Sequence, residues 1–250
     1  MLNEKISRRK FLKDAGALLG GAALGSMALA SACAPKSTEP PTTTTTSQIP
    51  GVIYSPDTLR ENRIPPGQHE VTNWPQVQSG STPNVNLDQW AFTIKGLVEK
   101  EVVLSYAEFS SLKFDHVVSD IHCVTRWTRL NNLWGGYRAE TVSGLVGIKP
   151  EARFVVVSAT GGFTANIPLS DFLQSDVIFA IQHDDIPLTS GHGGPIRLVI
   201  PRLYFWKSAK WVTGIEFTAE DQPGFWERLG YHNHGDPWEE ERYSLPFGLG

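Results

Sequence analysis

Cysteine is scarce in this chain of 250 residues, and the two present are Cys33 and Cys123. Cys33 lies in a segment with the composition of an export signal, so Cys123 has no disulfide partner in the mature chain. This excludes a fold held together by disulfides. It leaves two interpretations of Cys123, a buried inert thiol or a thiolate metal ligand.

Positive charge is also in short supply. The net charge is -4, and beyond residue 32 there are 17 basic against 24 acidic side chains. No basic patch is evident, which argues against nucleic acid or another polyanion as a partner. A hydrophobic content of 40% is enough for a sizeable core, while 17 Pro and 23 Gly indicate short strands and many loops instead of a helical bundle.

Long hydrophobic runs are missing as well. The longest, Ala15 to Ala30, is mostly Ala and Gly and is too short for a membrane span. It follows a basic stretch that contains Arg8-Arg9 and then Phe11-Leu12-Lys13. This pattern resembles the twin-arginine signal, which exports proteins already folded, and an ordinary secretory signal is the alternative.

Cys33 closes this segment, after Ala30-Ser31-Ala32, in a pattern similar to a lipoprotein processing site. Thr, Pro and Ser dominate the next residues, which predicts a flexible tether. We therefore expect a signal at residues 1–33, a tether at 34–50 and a domain at 51–250, held through a lipid at Cys33 on the outer face of the cytoplasmic membrane. The alternative is a soluble protein with a disordered leader.

Within the domain, hydrophobic periodicity predicts short strands and two short helices. Ser105 and Glu108 form a capping-box pattern, which predicts a helix from Ser105 to Leu112. The second predicted helix is Thr141–Val146. The predicted strands are Asp88–Val98, Val117–Ile121, Arg153–Ser158, Val177–Gln182, Ile196–Ile200 and Gly214–Thr218.

Three loops carry residues suited to an anionic, metal-containing cofactor. Cys123 follows a predicted strand, with His122 and Arg126 close enough in sequence to favour a thiolate. The Gly-rich stretch between His192 and Arg197 can present backbone N–H groups to a phosphate. A third loop places two lysines among aromatic residues. Each signal alone is weak, since such turns and lysines are common on protein surfaces.

Four stretches, DIHCVTRWT, HGGPIRLVIP, YFWKSAKWV and GFWERLGYHNHGDPWEEERY, resemble the molybdopterin-binding domain of the sulfite oxidase superfamily. The resemblance implies an α/β (mixed α+β) fold with irregular sheets and a molybdenum-molybdopterin cofactor (Mo-MPT). It makes Cys123 the protein ligand of the metal. It also implies cofactor contacts from Asn73, Trp74, His192, Arg197, Ser208, Ala209 and Lys210.

The resemblance covers two activities, oxidation of sulfite and reduction of a sulfoxide, as in the periplasmic methionine sulfoxide reductase catalytic subunit. We expect a monomer that transfers an oxygen atom to or from a small molecule and exchanges electrons with a haem protein or membrane cytochrome subunit. Arg126 is the first candidate for substrate binding, with Arg129 and Arg202 weaker, and His122 either shapes the metal pocket or is structural. The alternative function is a lipid-anchored binding module that keeps the fold without the cofactor.

The export hypothesis makes the first prediction. Changing Arg8 and Arg9 together to Lys keeps the charge and the apolar run, so an ordinary secretory signal should tolerate it. A twin-arginine signal should not, and we expect the variant to accumulate in the cytoplasm with molybdenum bound. Cell fractionation with metal analysis checks this, and normal export of the double-lysine variant would contradict it.

Overall fold

The computed structural model of the protein describes residues 48–244. The signal, Cys33 and nearly all of the predicted tether lie outside the described residues. Within them, no helix has the length and apolar character that a membrane span requires.

Short strands dominate the structure, and three α-helices of four or five residues lie between them. The strands are β1 Val52–Tyr54, β2 His69–Glu70, β3 Ala91–Gly96, β4 Val102–Ser105, β5 Asp115–His122, β6 Trp127–Arg138, β7 Phe154–Ala159, β8 Thr164–Pro168, β9 Ile178–His183, β10 Ile186–Pro187, β11 Arg197–Val199 and β12 Val212–Thr218. The helices are α1 Tyr106–Ser110, α2 Ala139–Ser143 and α3 Leu169–Phe172, and 3-10 turns cover Pro56–Leu59, Ser190–His192 and Glu227–Leu229.

Two mixed sheets form the fold. The first has seven strands, with the path β1-β5-β6-β9-β10, β2 on β6 and β11 on β9. The second has five, in the order β4-β3-β12-β7-β8. Most neighbours are antiparallel, but β1 on β5, β2 on β6 and β3 on β12 are parallel. The expected mixed α/β (α+β) single domain is confirmed.

The main hydrophobic core contains residues from both sheets. Phe92 and Ile94 of β3, Val155 of β7 and Phe179 of β9 are all fully buried in one cluster. A second cluster surrounds Cys123 and includes Trp127 and Trp134 of β6. Alternate residues of β7 are buried, as expected for a strand with one face on the core.

Most predicted elements are present. The capping box is confirmed, since Ser105 Oγ accepts from the Glu108 N–H at 3.3 Å and the Ser105 N–H donates to Glu108 Oε2 at 2.8 Å. Sequence periodicity missed β6, the longest strand, because Asn131, Asn132 and two glycines interrupt its alternation. Asn131 has φ 55°, and the pairing with β5 shifts register there.

Candidate active site

Cys123 begins the four-residue loop that joins β5 to β6. The Cys123 N–H donates to the Trp127 carbonyl at 2.9 Å, and the Cys123 carbonyl accepts from the Arg126 N–H at 3.0 Å. Arg126 closes the loop with φ 74°. These bonds fix the loop backbone, and Cys123, 7% exposed, lines a cavity.

Two residues distant in sequence brace this loop. Gln68 Nε2 donates to the Cys123 carbonyl at 3.0 Å, and Arg242 Nη1 donates to the Val124 carbonyl, also at 3.0 Å. Arg242 Nη2 adds a bond to the Pro66 carbonyl at 3.1 Å. The position of the sulfur therefore depends on three separate segments of the chain.

Burial raises the pKa of the Cys123 thiol. A hydrogen bond with the Thr125 hydroxyl and the nearby Arg242 charge act in the opposite direction. The protein alone therefore holds Cys123 as a thiol at neutral pH. A bound metal has to displace that proton, as thiolate ligation generally requires.

Arg197, the first residue of β11, lines the same cavity and is 1% exposed. Its Nη1 donates to the His192 carbonyl at 2.7 Å and its Nη2 to the Ser208 carbonyl at 2.9 Å. The guanidinium lies 4.1 Å from the centre of the Phe205 ring. Burial lowers the pKa of Arg197 to about 9, which still leaves it charged at neutral pH.

Lys210 is the second cation of the cavity. Its Nζ donates to the Gly191 carbonyl at 2.7 Å and to the Val77 carbonyl at 3.0 Å. Burial, together with the charge of Arg197, lowers the pKa of Lys210 to about 8. Among the ion pairs of residues 48–244, none involves Arg197 or Lys210.

Lys207 shows what a structural cation looks like in this chain. It is 0% exposed, and its Nζ lies 2.7 Å from Glu227 Oε1. The same Nζ donates to the Asn166 and Asn233 carbonyls at 2.9 and 2.6 Å. A buried cation without such a carboxylate is costly, which makes Arg197, with the half-buried Lys210 beside it, a candidate site for an anion.

The cavity is open to solvent, and its empty volume is about 900 Å³ when that opening is counted. Aromatic side chains make up much of its wall. Its lining includes Trp74, Cys123, Thr125, Trp127, Phe163, Arg197, Phe205, Trp206, Ser208, Ala209, Lys210, Trp211, Trp226 and Tyr231.

Trp74 and His192 meet at one side of this cavity. Their rings stack with centres 4.1 Å apart, and His192 Nε2 lies 3.3 Å from the Trp74 carbonyl. Burial, with smaller effects from Arg197 and Lys210, lowers the pKa of His192. His192 is therefore a neutral hydrogen-bonding group at pH 7, and the charge at the anion site comes from the other two residues.

The structure thus brings together Cys123, Trp74, Arg197, Ser208, Ala209 and Lys210. His192, predicted to contact the cofactor, is not among the lining residues and instead stacks on Trp74. Asn73 is exposed and is not among the lining residues. Arg126 is also exposed and outside the lining. Its guanidinium lies beside Gly67. Arg126 Nη1 is 3.0 Å from the position that a Cβ would take at Gly67.

His122 lies outside the lining as well and is fully buried. Its Nδ1 is 2.9 Å from Thr128 Oγ1. Burial lowers the pKa of His122 to about 4, against the raising effect of Asp57 and Asp120. This neutral imidazole supplies no positive charge to Cys123, and its placement favours the structural interpretation.

The two weaker arginine candidates form ion pairs with aspartates and do not line the cavity. Arg129 Nη2 pairs with Asp184 at 2.6 Å, and Arg202 lies 3.8 Å from Asp171 beside a different cavity. Sequence reasoning missed Gln68, Thr125 and Arg242. Thr125 belongs to the quoted Cys123 motif, but nothing local to Gln68 or Arg242 indicates the loop they brace.

Comparison with known proteins agrees with this geometry. Residues 79–226, more than half of the chain, match the family described as oxidoreductase molybdopterin binding domain. The chain belongs to that family. The resemblance to the sulfite oxidase superfamily is therefore confirmed.

Three similar proteins are described as oxidoreductases or as enzymes that act on sulfur compounds. The chain is 44% identical to the uncharacterized oxidoreductase YuiH of Bacillus subtilis, over 74% of this chain and 94% of that protein. It is 26% identical to the protein-methionine-sulfoxide reductase catalytic subunit MsrP of Campylobacter jejuni, over 91% of this chain and 78% of the other. It is also 26% identical to the sulfite oxidase of Arabidopsis thaliana, over 61% and 48% of the two chains.

A solved structure shares the fold. The sulfane dehydrogenase SoxCD from Paracoccus pantotrophus superposes with a TM-score of 0.55 at 19% identity. The match covers 61% of this chain and 45% of the SoxCD chain. At that identity the likeness concerns the architecture alone.

Lys210 makes the anion site sensitive to pH. Its pKa is lowered to about 8, so its charge is present at pH 7 and is lost as the pH rises through that value. Inorganic phosphate should therefore bind cofactor-free protein more weakly at about pH 8.5 than at about pH 7. Lys210→Arg keeps its charge over this range and should remove most of the decline.

Phosphate itself becomes more negative over this pH range, which by itself would strengthen its binding to a cationic site. The expected weakening of phosphate binding therefore runs against the effect of the ligand's own titration. Calorimetry or phosphorus NMR on both proteins measures it. An identical pH dependence in wild type and Lys210→Arg would show that Lys210 does not contact the anion. Lys95→Arg, at a surface pair with Glu216, is the matched control and should behave as wild type.

Proposed function

We propose that this protein is a molybdenum-cofactor-dependent oxidoreductase that transfers an oxygen atom to or from a small substrate. One observation carries the proposal. A buried arginine without a carboxylate partner lines the same cavity as a single free cysteine. The first suits the phosphate of an anionic cofactor, and the second suits a soft, redox-active metal.

The residues present fit this cofactor. Arg197 and Lys210 would hold its phosphate, and the loop of Ser208 and Ala209 would close around it. Cys123 is the one protein side chain of the cavity suited to the metal, and no group of three or more His, Cys, Asp or Glu in the described part of the chain could hold a metal ion. Because the protein offers the metal one side-chain ligand, the other ligands must come from the cofactor. The dithiolene of a pterin supplies two sulfur atoms.

When bound, the cofactor supplies a metal centre that exchanges an oxygen atom with substrate and takes up or releases two electrons. The chain supplies the surroundings for this chemistry. The aromatic walls would limit the access of water to the bound metal, and the braced loop would hold the Cys123 sulfur in place.

Of the two reactions the family resemblance allows, we favour reduction of a neutral sulfoxide. Sulfite is an oxyanion and needs cations beyond those at the phosphate, yet Arg197 and Lys210 are the only Arg or Lys of the described chain that line the cavity. Aromatic residues such as Trp127, Trp226 and Tyr231 suit the apolar substituents of a sulfoxide and the sulfide formed from it, because sulfide sulfur packs well against aromatic rings.

We further propose that the protein is exported folded and lipid-anchored through Cys33, as its N-terminal sequence indicates. Reduction of a sulfoxide consumes two electrons and two protons and yields a sulfide and water. An external redox partner must deliver those electrons, and a haem protein or membrane cytochrome subunit fits the extracytoplasmic location. The relative MsrP is itself described as a catalytic subunit.

The metal content tests the core of the proposal. Purified protein should contain molybdenum close to one equivalent, and Cys123→Ser should lose turnover while keeping most of its pterin, because the phosphate contacts remain. Metal analysis and pterin fluorescence measure the two quantities. Full turnover in Cys123→Ser, or wild-type protein without molybdenum, would contradict the assignment, and the latter would favour the cofactor-free binding module.

The substrate preference needs its own assay. Reduced viologen dye should be oxidised in the presence of an alkyl or aryl methyl sulfoxide, at a kcat/KM at least tenfold above that for sulfite with ferricyanide. We expect sulfoxide to be preferred over sulfite because the cavity wall is aromatic and its lining, within the described residues, has no Arg or Lys besides Arg197 and Lys210. Efficient sulfite oxidation without sulfoxide reduction would overturn the preference while leaving the cofactor assignment intact.

A further inference from the structure

Thr125, in the loop that begins with Cys123, touches the sulfur of Cys123. Its Oγ1 lies 3.1 Å from Cys123 Sγ, within hydrogen-bonding distance for sulfur. The Thr125 side chain also lines the cavity. It is therefore a hydroxyl group at the sulfur proposed to bind the metal.

The direction of this hydrogen bond follows from the chemistry of the ligand. In the free thiol either group can donate, because both carry a proton. A metal-bound cysteine is a thiolate and has no proton to give. In the loaded protein the Thr125 hydroxyl must therefore be the donor and the sulfur the acceptor.

The backbone keeps the two side chains together. The Cys123 N–H bonds to the Trp127 carbonyl and the Arg126 N–H to the Cys123 carbonyl, so Thr125 lies inside a closed turn. Gln68 and Arg242 anchor the carbonyls of Cys123 and Val124 from outside that turn. These bonds hold Thr125 beside Cys123.

We propose that Thr125 is a positioning residue that donates a hydrogen bond to the metal-binding sulfur of Cys123 and so tunes the metal. The inference rests on the proposed function. A hydrogen bond withdraws electron density from a thiolate, which then stabilises the oxidised metal less. Thr125 therefore raises the reduction potential of the centre and stabilises its reduced state.

Three single substitutions test this role. Thr125→Val removes the hydroxyl at nearly constant volume, and Thr125→Ser retains it. Thr93→Val is the control, on strand β3 of the other sheet, where valine suits the strand. For each exported full-length protein we would measure molybdenum content, then follow the Mo(V) signal by electron paramagnetic resonance during a redox titration.

We expect equal molybdenum content in all four proteins and a lower midpoint potential in Thr125→Val alone. The Mo(V) g-values should shift in the same variant, since they report sulfur covalency. Loaded Thr125→Val with an unchanged potential and signal would overturn the inference. A change in KM alone would overturn it too, because the hydroxyl would then act on substrate. Wild-type protein without molybdenum would instead refute the proposed function, and this inference with it.

Discussion

The buried charge of Arg197 is the constraint on which the site depends. Its guanidinium is hydrogen-bonded to three carbonyl groups, those of His192, Leu198 and Ser208, which orient it but leave its charge uncompensated. Burial of a cation in this way is unfavourable unless an anion joins it. Lys210 is half-buried and has no ion-pair partner among the described residues. The charge of Arg197 lowers the pKa of Lys210, and both charges lower the pKa of His192. The two side chains therefore favour a negatively charged ligand, and a phosphate is the ligand that we propose for them.

Several loops of the fold contribute residues to the one cavity that contains Arg197 and Lys210. The β5–β6 loop supplies Cys123, the start of β11 supplies Arg197, and the loop before β12 supplies Lys210. Each loop is anchored by a strand of the seven-stranded sheet or by a bond to it. Ala209, for example, accepts from the Leu198 N–H of β11 at 2.8 Å. Rigid strands therefore set the relative positions of residues that lie far apart in sequence.

Local patterns predicted much of this arrangement. Cys123 after a strand, the Gly-rich turn and the Lys-aromatic loop were recognisable because each signal occupies a few adjacent residues. Gln68 and Arg242 were not, since they contact the Cys123 loop across 55 and 118 positions of the chain. Strand β6 escaped prediction because pairing with β5 and β9, and not intrinsic propensity, holds its Asn and Gly residues in place.

Arg126 illustrates a different limit of sequence reasoning. Its proximity to Cys123 in sequence indicated a substrate contact, but a positive φ closes the hairpin loop there. The side chain consequently lies beside Gly67, outside the cavity lining. Adjacent residues of a tight loop point in different directions, and a one-dimensional pattern carries no information on which of them faces the cavity.

X-ray absorption spectroscopy at the molybdenum edge tests the central claim most directly, because it counts sulfur atoms bound to the metal. The account predicts three sulfur ligands in the wild-type protein, two from the pterin and one from Cys123, and two in Cys123→Ser. The same sulfur count in both proteins would show that Cys123 is not a ligand, and would contradict the account.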